Sequence, residues 1–270
     1  VTNPATSIRP AGVYYDLPDG EYRADYGIAQ SDLKRLGRSP KFYRAGVEDD
    51  EEREESDALT LGKIVGQIAM EPEKPAWWIV RPEGLDARTK DGKAWLASVP
   101  AGVEPISASL WSKATHIATA LLDHPIAGDI VRNSRREVSV FDDYHTERGI
   151  IRRKGRLDLV TSGNCLADIK TTVDARPDVF LRSIWKFGYD IQAHSYRDIW
   201  NAQNPGDIKD NFLLIAIEKA PPFDLMVHQL DWSILEEGRI KYERLITTYA
   251  ECVKTNTWPG YPVEINRLSK

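Results

Sequence analysis

At 270 residues, 41% of them hydrophobic, the chain can bury a sizeable core, so one large domain, or one domain with a helical elaboration, is expected. The net charge of −5 argues against a polyanionic partner only until its source is seen: Glu48 to Asp57 (EDDEEREESD) alone carries −7, leaving the other 260 residues near +2. No run approaches the roughly 18 apolar residues that span a bilayer, and the polar start VTNPATSIRP lacks the apolar core of a secretion signal, so no membrane partner and a cytoplasmic location are expected.

Residues 1–26 are rich in Pro, Gly, Asp and Tyr and read as extended structure and turns. A helix follows from about Ser31 to Gly37, with a second short helical turn after Ser39. The acidic run reads as a solvated loop. Beyond it TLGKIVGQIAMEP has helical spacing that Pro72 stops, and residues 74–103 suggest a strand, a long loop and a short helix. Residues 107–133 read as one or two amphipathic helices broken near Pro125. The period then becomes twofold, and EVSVFDDYHTERG, IIRRKGRLDLVTSG and NCLADIKTT predict three strands of an antiparallel meander. A long helix from Pro177 to about Ala202, interrupted near Gly188, is followed by two strands, NFLLIAIEKAPP and DLMVHQLDW, and a closing helix from Ser233 to Thr255. This order implies an α/β fold with a mixed central sheet flanked by helices. Two distant cysteines, Cys165 and Cys252, exclude a disulfide framework and a cysteine metal cluster, and the five histidines show no zinc-like pairing.

The anomaly lies in RRKGRLDLVTSGNCLADIKTT, Arg152 to Thr172, where an apolar strand pattern accepts Asp158 and then Asp168 and Lys170. Alternation puts Arg152, Lys154, Arg156 and Asp158 on one face, with Arg153, Leu157 and Leu159 on the other. In the next strand Asp168 and Lys170 project together. A short turn at Ser162 to Asn164 brings Asp158 near Asp168. Two adjacent carboxylates raise each other's pKa unless a cation lies between them, and hard oxygen ligands favour Mg²⁺ or Mn²⁺. A lysine beside a metal-bound water can orient or deprotonate it and stabilise charge developing on phosphorus. The plain alternative is a salt-bridged hairpin. Gln192 and Tyr196, four residues apart, share one helical face beyond these strands.

These residues resemble the PD-(D/E)xK nuclease superfamily: Asp158 for the first aspartate, Asp168 and Lys170 for (D/E)xK, Gln192 and Tyr196 for the Q-x-x-x-Y of its RecB-like branch. Several further segments are similar to the C-terminal domain of RecE-like exonucleases (exodeoxyribonuclease VIII): PAGVYYDLPDGEYRADYGIAQSDLKRLGRSPKFY, LGKIVGQIAMEPE, ARTKDGK and NTWPGY. The resemblance implies a restriction-endonuclease-like core in residues 131–270, with residues 1–130 a mostly helical elaboration of one nuclease domain. It implies a metal-dependent 5′ to 3′ exonuclease that leaves 3′ single-stranded tails on linear duplex DNA for a RecT-like annealing protein, working as a homo-oligomeric ring in a bacterial or phage setting. The implied metal set is Asp158, Asp168 and Ile169, with Glu137 as a further acid. The implied DNA-binding set includes Ser31, at a position like that of a 5′-phosphate-binding serine, and Arg35; Ser31 also reads as the N-cap of its helix. Charge alone adds Arg152, Lys154 and Arg156 as a phosphate-tracking surface. Where the family helix carries a metal-site histidine, this chain has Gly66, so Gln67, water or Glu137 fills the gap or metal affinity is weakened. The rival readings are an endonuclease on the same fold and a catalytically weakened DNA-binding recombination subunit.

Overall fold

The computed structural model describes residues 9–48, 57–265 and 267, so the core of the acidic run lies outside the described residues. A six-stranded sheet has the order β1-β4-β5-β6-β7-β8, formed by Gly12–Tyr14, Arg135–Thr146, Gly149–Val160, Cys165–Thr172, Asn211–Glu218 and Leu225–Gln229. Every neighbour pair is antiparallel except β6 and β7, which makes the sheet mixed as the period changes imply. A parallel pair needs a crossover long enough to return to the starting edge. Here α8 (Pro177–Phe187) and α9 (Tyr189–Gln203) supply it, with Pro177 opening the first and Gly188 between them in the left-handed region at φ 63°.

Helices cover both faces. On one face Val138, Leu157, Leu166, Phe212 and Leu214 pack against Phe180, Ile184, Ala193 and Trp200 of α8 and α9. On the other, Leu159, Ala167, Ile215 and Ile217 pack against α4 (Asp57–Met70), α6 (Ala108–Asp123) and α7 (Ala127–Arg132). A third cluster joins α2 (Gln30–Arg38) to α9 and to α10 (Trp232–Thr255) through Leu33, Leu36, Ile191, Tyr242 and Leu245. Among the described residues no helix is long and apolar enough to cross a membrane.

Three expectations need correcting. The extended structure expected near the start of the chain is β1, which joins the main sheet, but a short helix, α1 (Asp19–Ala24), follows where turns were expected. The short strand β2 (Trp78–Val80) pairs in parallel with β3 (Glu104–Ile106), a strand too short to leave a period in the sequence, and α5 (Lys90–Ser98) lies between them. The second helical turn after Ser39 is a full helix, α3 (Pro40–Glu48), capped by the Ser39 hydroxyl, which accepts from Phe42 N–H at 3.1 Å.

Arg153 ties the sheet to its helical cover. It donates to Asp142 at 2.8 Å, to Asp198 on α9 at 2.5 Å and to the Tyr242 hydroxyl on α10 at 2.9 Å, and it lies over the Tyr144 ring. Arg153 and Asp142 are both nearly fully buried, so removing one charge leaves the other unpaired in the interior. Arg153→Met is therefore expected to lower unfolding free energy in urea by about 3–5 kcal/mol. A loss under about 1 kcal/mol would show that the network contributes little.

Candidate active site

The site forms where the β5–β6 ladder stops. Only Leu159↔Ala167 and Val160↔Leu166 pair, although the same register would next set Asp158 opposite Asp168. The strands part at the two acids, and the ladder N–H freed at Ile169 donates to Asp158 Oδ2 at 3.1 Å instead. On the other side of β5 the β4 ladder is also interrupted, at Glu137 opposite Asp158, where Glu137 takes φ 51°. A left-handed glutamate in a strand is strained, and such strain persists where surrounding contacts enforce it. The irregularity breaks the side-chain alternation: Leu157 and Leu159 enter different cores rather than sharing a face.

Asp168, 1% exposed, has both oxygens engaged: Gln192 Nε2 donates to Oδ1 at 2.6 Å, and Lys170 Nζ lies 2.5 Å from Oδ2. Burial, with the charges of Asp168 and Glu137, holds the Asp158 carboxyl well above the usual carboxylate range. Burial likewise raises Glu137, against the pull of Arg156, whose Nε donates to Glu137 Oε2 at 2.6 Å. Burial alone would discharge Lys170, but Asp168 and Asp158 overcome it and hold its ammonium above its ordinary value. Lys170 is thus a cation and hydrogen-bond donor in this arrangement rather than a base. Tyr196 is buried beside the site with its ring against Gly155, the spot a larger residue would fill, and burial raises its hydroxyl far above the ordinary range.

Glu137, Asp158, Ile169, Lys170 and Tyr196 floor an open cleft of about 1320 Å³, with Asp168 and Gln192 buried behind them and with α2 and α4 as walls. A drug-sized ligand pocket is typically about 300–1,000 Å³. The cleft is larger and open, suited to an extended substrate. On the α4 wall Gly66 faces it with only the end of Met70 within 4 Å of a Cβ placed there. The neighbouring Gln67 is turned to main chain, donating to the carbonyls of Lys74 and Pro75 at 3.1 and 3.0 Å.

The profile of a PDDEXK-like domain of unknown function, DUF3799, matches residues 29–269. The chain belongs to this family. The matched span contains every group on the floor of the cleft. A solved "putative exonuclease" from Eubacterium rectale superposes on this DUF3799 chain with a TM-score of 0.61 at 16% identity, covering 90% of this chain and 88% of that one, a likeness of fold. A second solved structure, of SSO0001, gives a TM-score of 0.31 at 14% identity over 70% of this chain and 86% of its own. No curated protein matches. The mixed sheet flanked by helices, with the PDDEXK-like family, makes the fold restriction-endonuclease-like.

In this DUF3799 domain Asp158, Asp168, Ile169, Lys170, Gln192, Tyr196 and Glu137 converge on one place. Of the cationic set Lys154, Arg156 and Arg35 line the cleft with Ser31, and Arg152 is buried. Lys154 Nζ donates to the carbonyls of Tyr22, Arg23 and Asp25, closing the end of α1, and Arg156 reaches Glu137 and the Leu17 carbonyl. Arg152 is buried, bonded to Asp143 and the Arg9 carbonyl. These three clamp the N-terminal segment to β5, a role that a charge count does not distinguish from phosphate tracking. Ser31 is exposed on the cleft wall but does not cap its helix: Ala29 holds that position, and the Asp32 carboxylate accepts its N–H at 2.9 Å. Arg35 lines the same wall, packed against Gly46.

Sequence reasoning missed Lys34 and Tyr189. Both Lys170 and Lys34 lie over the Tyr189 ring, at 4.8 and 5.7 Å from its centroid. Burial, then the neighbouring Lys170, lowers Lys34 to about 7. The available signal was Tyr189 directly after the Gly188 joint and Lys34 one turn beyond Ser31.

Because Asp158 is raised above its unfolded value of 3.8, it favours the folded state only while protonated, and the chain loses stability as pH rises beyond that value. Asp158→Asn is therefore expected to raise the urea midpoint at pH 8 in chelator, corresponding to about 1–2 kcal/mol of unfolding free energy. An unchanged or lower midpoint would contradict the crowding of these acids.

Proposed function

We propose that this domain is a Mg²⁺- or Mn²⁺-dependent deoxyribonuclease. The observation that carries the reading is the convergence of Asp158, Asp168 and Lys170 where two strands part, with surplus negative charge at Asp158. The residues present fit a hard cation. Their donors are carboxylate oxygens, with no His or Cys beside them; among the described residues no three His, Cys, Asp or Glu side chains are placed to hold a metal ion together, so two carboxylates would share it with main chain and water. Asp158 and Asp168 would hold the ion, with the Ile169 main chain between them and Glu137 in reserve behind its bond to Arg156. When bound, such an ion polarises a phosphodiester and lowers the pKa of water.

The chain's own groups do the rest. Gln192 fixes the Asp168 carboxylate, and the Ile169 N–H fixes that of Asp158. The Lys170 ammonium is placed to donate to a phosphate oxygen and to stabilise charge that builds there. Tyr196 and the apolar packing beneath it keep the floor rigid. The resemblance to RecE-like enzymes supports the finer reading: 5′ to 3′ digestion of linear duplex DNA by a ring of subunits in the bacterial cytoplasm, leaving 3′ tails for a RecT-like annealing partner. A second reading, a weakened DNA-binding subunit, is favoured by Gly66, which offers no ligand from the α4 wall.

The test is digestion of end-labelled linear duplex with Mg²⁺, run beside covalently closed duplex. We expect loss of label from the 5′ end of linear DNA only, and at least 100-fold loss of rate in Asp168→Ala and Lys170→Ala with the fold retained. Cleavage of closed circles would establish an endonuclease instead. A wild-type chain that binds DNA without cutting it, but cuts as Gly66→His, would establish the weakened reading. Wild-type rates in either alanine variant would overturn the site.

A further inference from the structure

Tyr189 opens α9 directly after Gly188, and its ring forms one edge of the cleft. Of the two ammonium groups over that ring, Lys170 has Asp168 as its partner, whereas Lys34 makes no hydrogen bond or ion pair among the described residues. Asp190, the next acid in the chain, is committed to Lys241 at 2.8 Å. Packing fixes Lys34 instead: a Cβ on Gly188 would come within 3.1 Å of its Cε. Outward from the cleft the Phe187 ring stacks on Tyr189, centroids 5.7 Å apart and planes 30° from parallel, and Phe187 remains 49% exposed. Lys186 Nζ lies 5.3 Å over the Phe187 ring and, like Lys34, has no acid partner among the described residues.

A half-exposed aromatic ring beside the cleft-lining Tyr189, flanked by two lysines with no acid within ion-pair distance among the described residues, matches a flat apolar ring joined to an anion. We infer that Phe187, Tyr189, Lys34 and Lys186 form a subsite for one unpaired nucleotide of single-stranded DNA, with its base on Phe187 and its phosphate at Lys34. The placement beside the reacting phosphate rests on the nuclease reading above. The nucleotide must be unpaired, because within a duplex both faces of each base are already covered by neighbours. Base–aromatic stacking tolerates any base, so the subsite selects strandedness rather than sequence. The phosphate supplies the counter-charge that Lys34 lacks.

The experiment is fluorescence anisotropy of a labelled single-stranded oligodeoxynucleotide and of covalently closed duplex, with the full chain in EDTA. Phe187→Ala is expected to weaken single-strand binding by about 5- to 100-fold, the range for loss of one base–aromatic stack, and to leave closed-duplex binding unchanged. Lys34→Gln is expected to weaken it and to lessen the log–log salt slope by about 0.7, with Lys34→Arg restoring that slope. Phe187 is half exposed, so its variant keeps the wild-type unfolding midpoint. The inference is overturned if the wild-type chain fails to bind the single strand, if either Phe187→Ala or Lys34→Gln binds as wild type, or if the loss is equal on closed duplex. A chain that shows these binding losses yet cuts no DNA with Mg²⁺ keeps the subsite and loses the nuclease reading. A chain that cuts DNA while both variants bind normally loses only the subsite.

Discussion

Two aspartates are set side by side at the base of a cleft, with too little positive charge beside them to satisfy both. Lys170 and Gln192 engage Asp168, but among the described residues Asp158 accepts one hydrogen bond, from the Ile169 N–H, and meets Lys170 through its charge alone, while Glu137 adds a third acidic group nearby. Folding tolerates this because the cost is local and the surrounding sheet is well packed. The same crowding that weakens the folded state makes the place attractive to a divalent cation. Stability lost at such a point is what a binding or catalytic centre ordinarily requires.

The architecture keeps the acids where they are. The parting of β5 from β6 is held open from both sides: the helix pair α8–α9 crosses above with Gln192 and Tyr189, and the strained Glu137 interrupts the ladder of β4. Lys154 and Arg156 then fasten the N-terminal segment across β5, turning it into one shoulder of the cleft. The opposite shoulder is α4, where Gly62 and Gly66 open gaps between the lining residues Leu59, Lys63, Gln67 and Met70. Much of the positive charge near the site is engaged in architecture; the cations in or beside the cleft that could meet a polyanion include Lys170, Arg35, Lys34 and Lys186.

Much of this was legible in the chain. The twofold period of residues 137–172 gave three strands, and the spacing of Asp158, Asp168 and Lys170 across a short turn gave a shared site, because strand alternation and register are local rules. Gln192 and Tyr196 followed from helical spacing. Less legible were features set by tertiary contact. Leu157 and Leu159 read as one face, yet the irregularity at Asp158 sends them to different cores. The row Arg152, Lys154, Arg156 read as a surface for phosphate, yet its partners include backbone carbonyls from residues 9–25 as well as Asp143 and Glu137, which no periodicity reveals. Lys34 looks like an ordinary helix lysine until α2 is packed against the Gly188 joint.

The central claim is that Asp158 and Asp168 share one divalent cation. It is tested most directly by following thermal unfolding while Mn²⁺ is titrated into the metal-free protein. The account expects the midpoint to climb with Mn²⁺ concentration in the wild type and to stay flat in Asp158→Asn, since binding to the folded state alone stabilises it by mass action. A wild-type midpoint indifferent to the metal, or an equal climb in the asparagine variant, would contradict it.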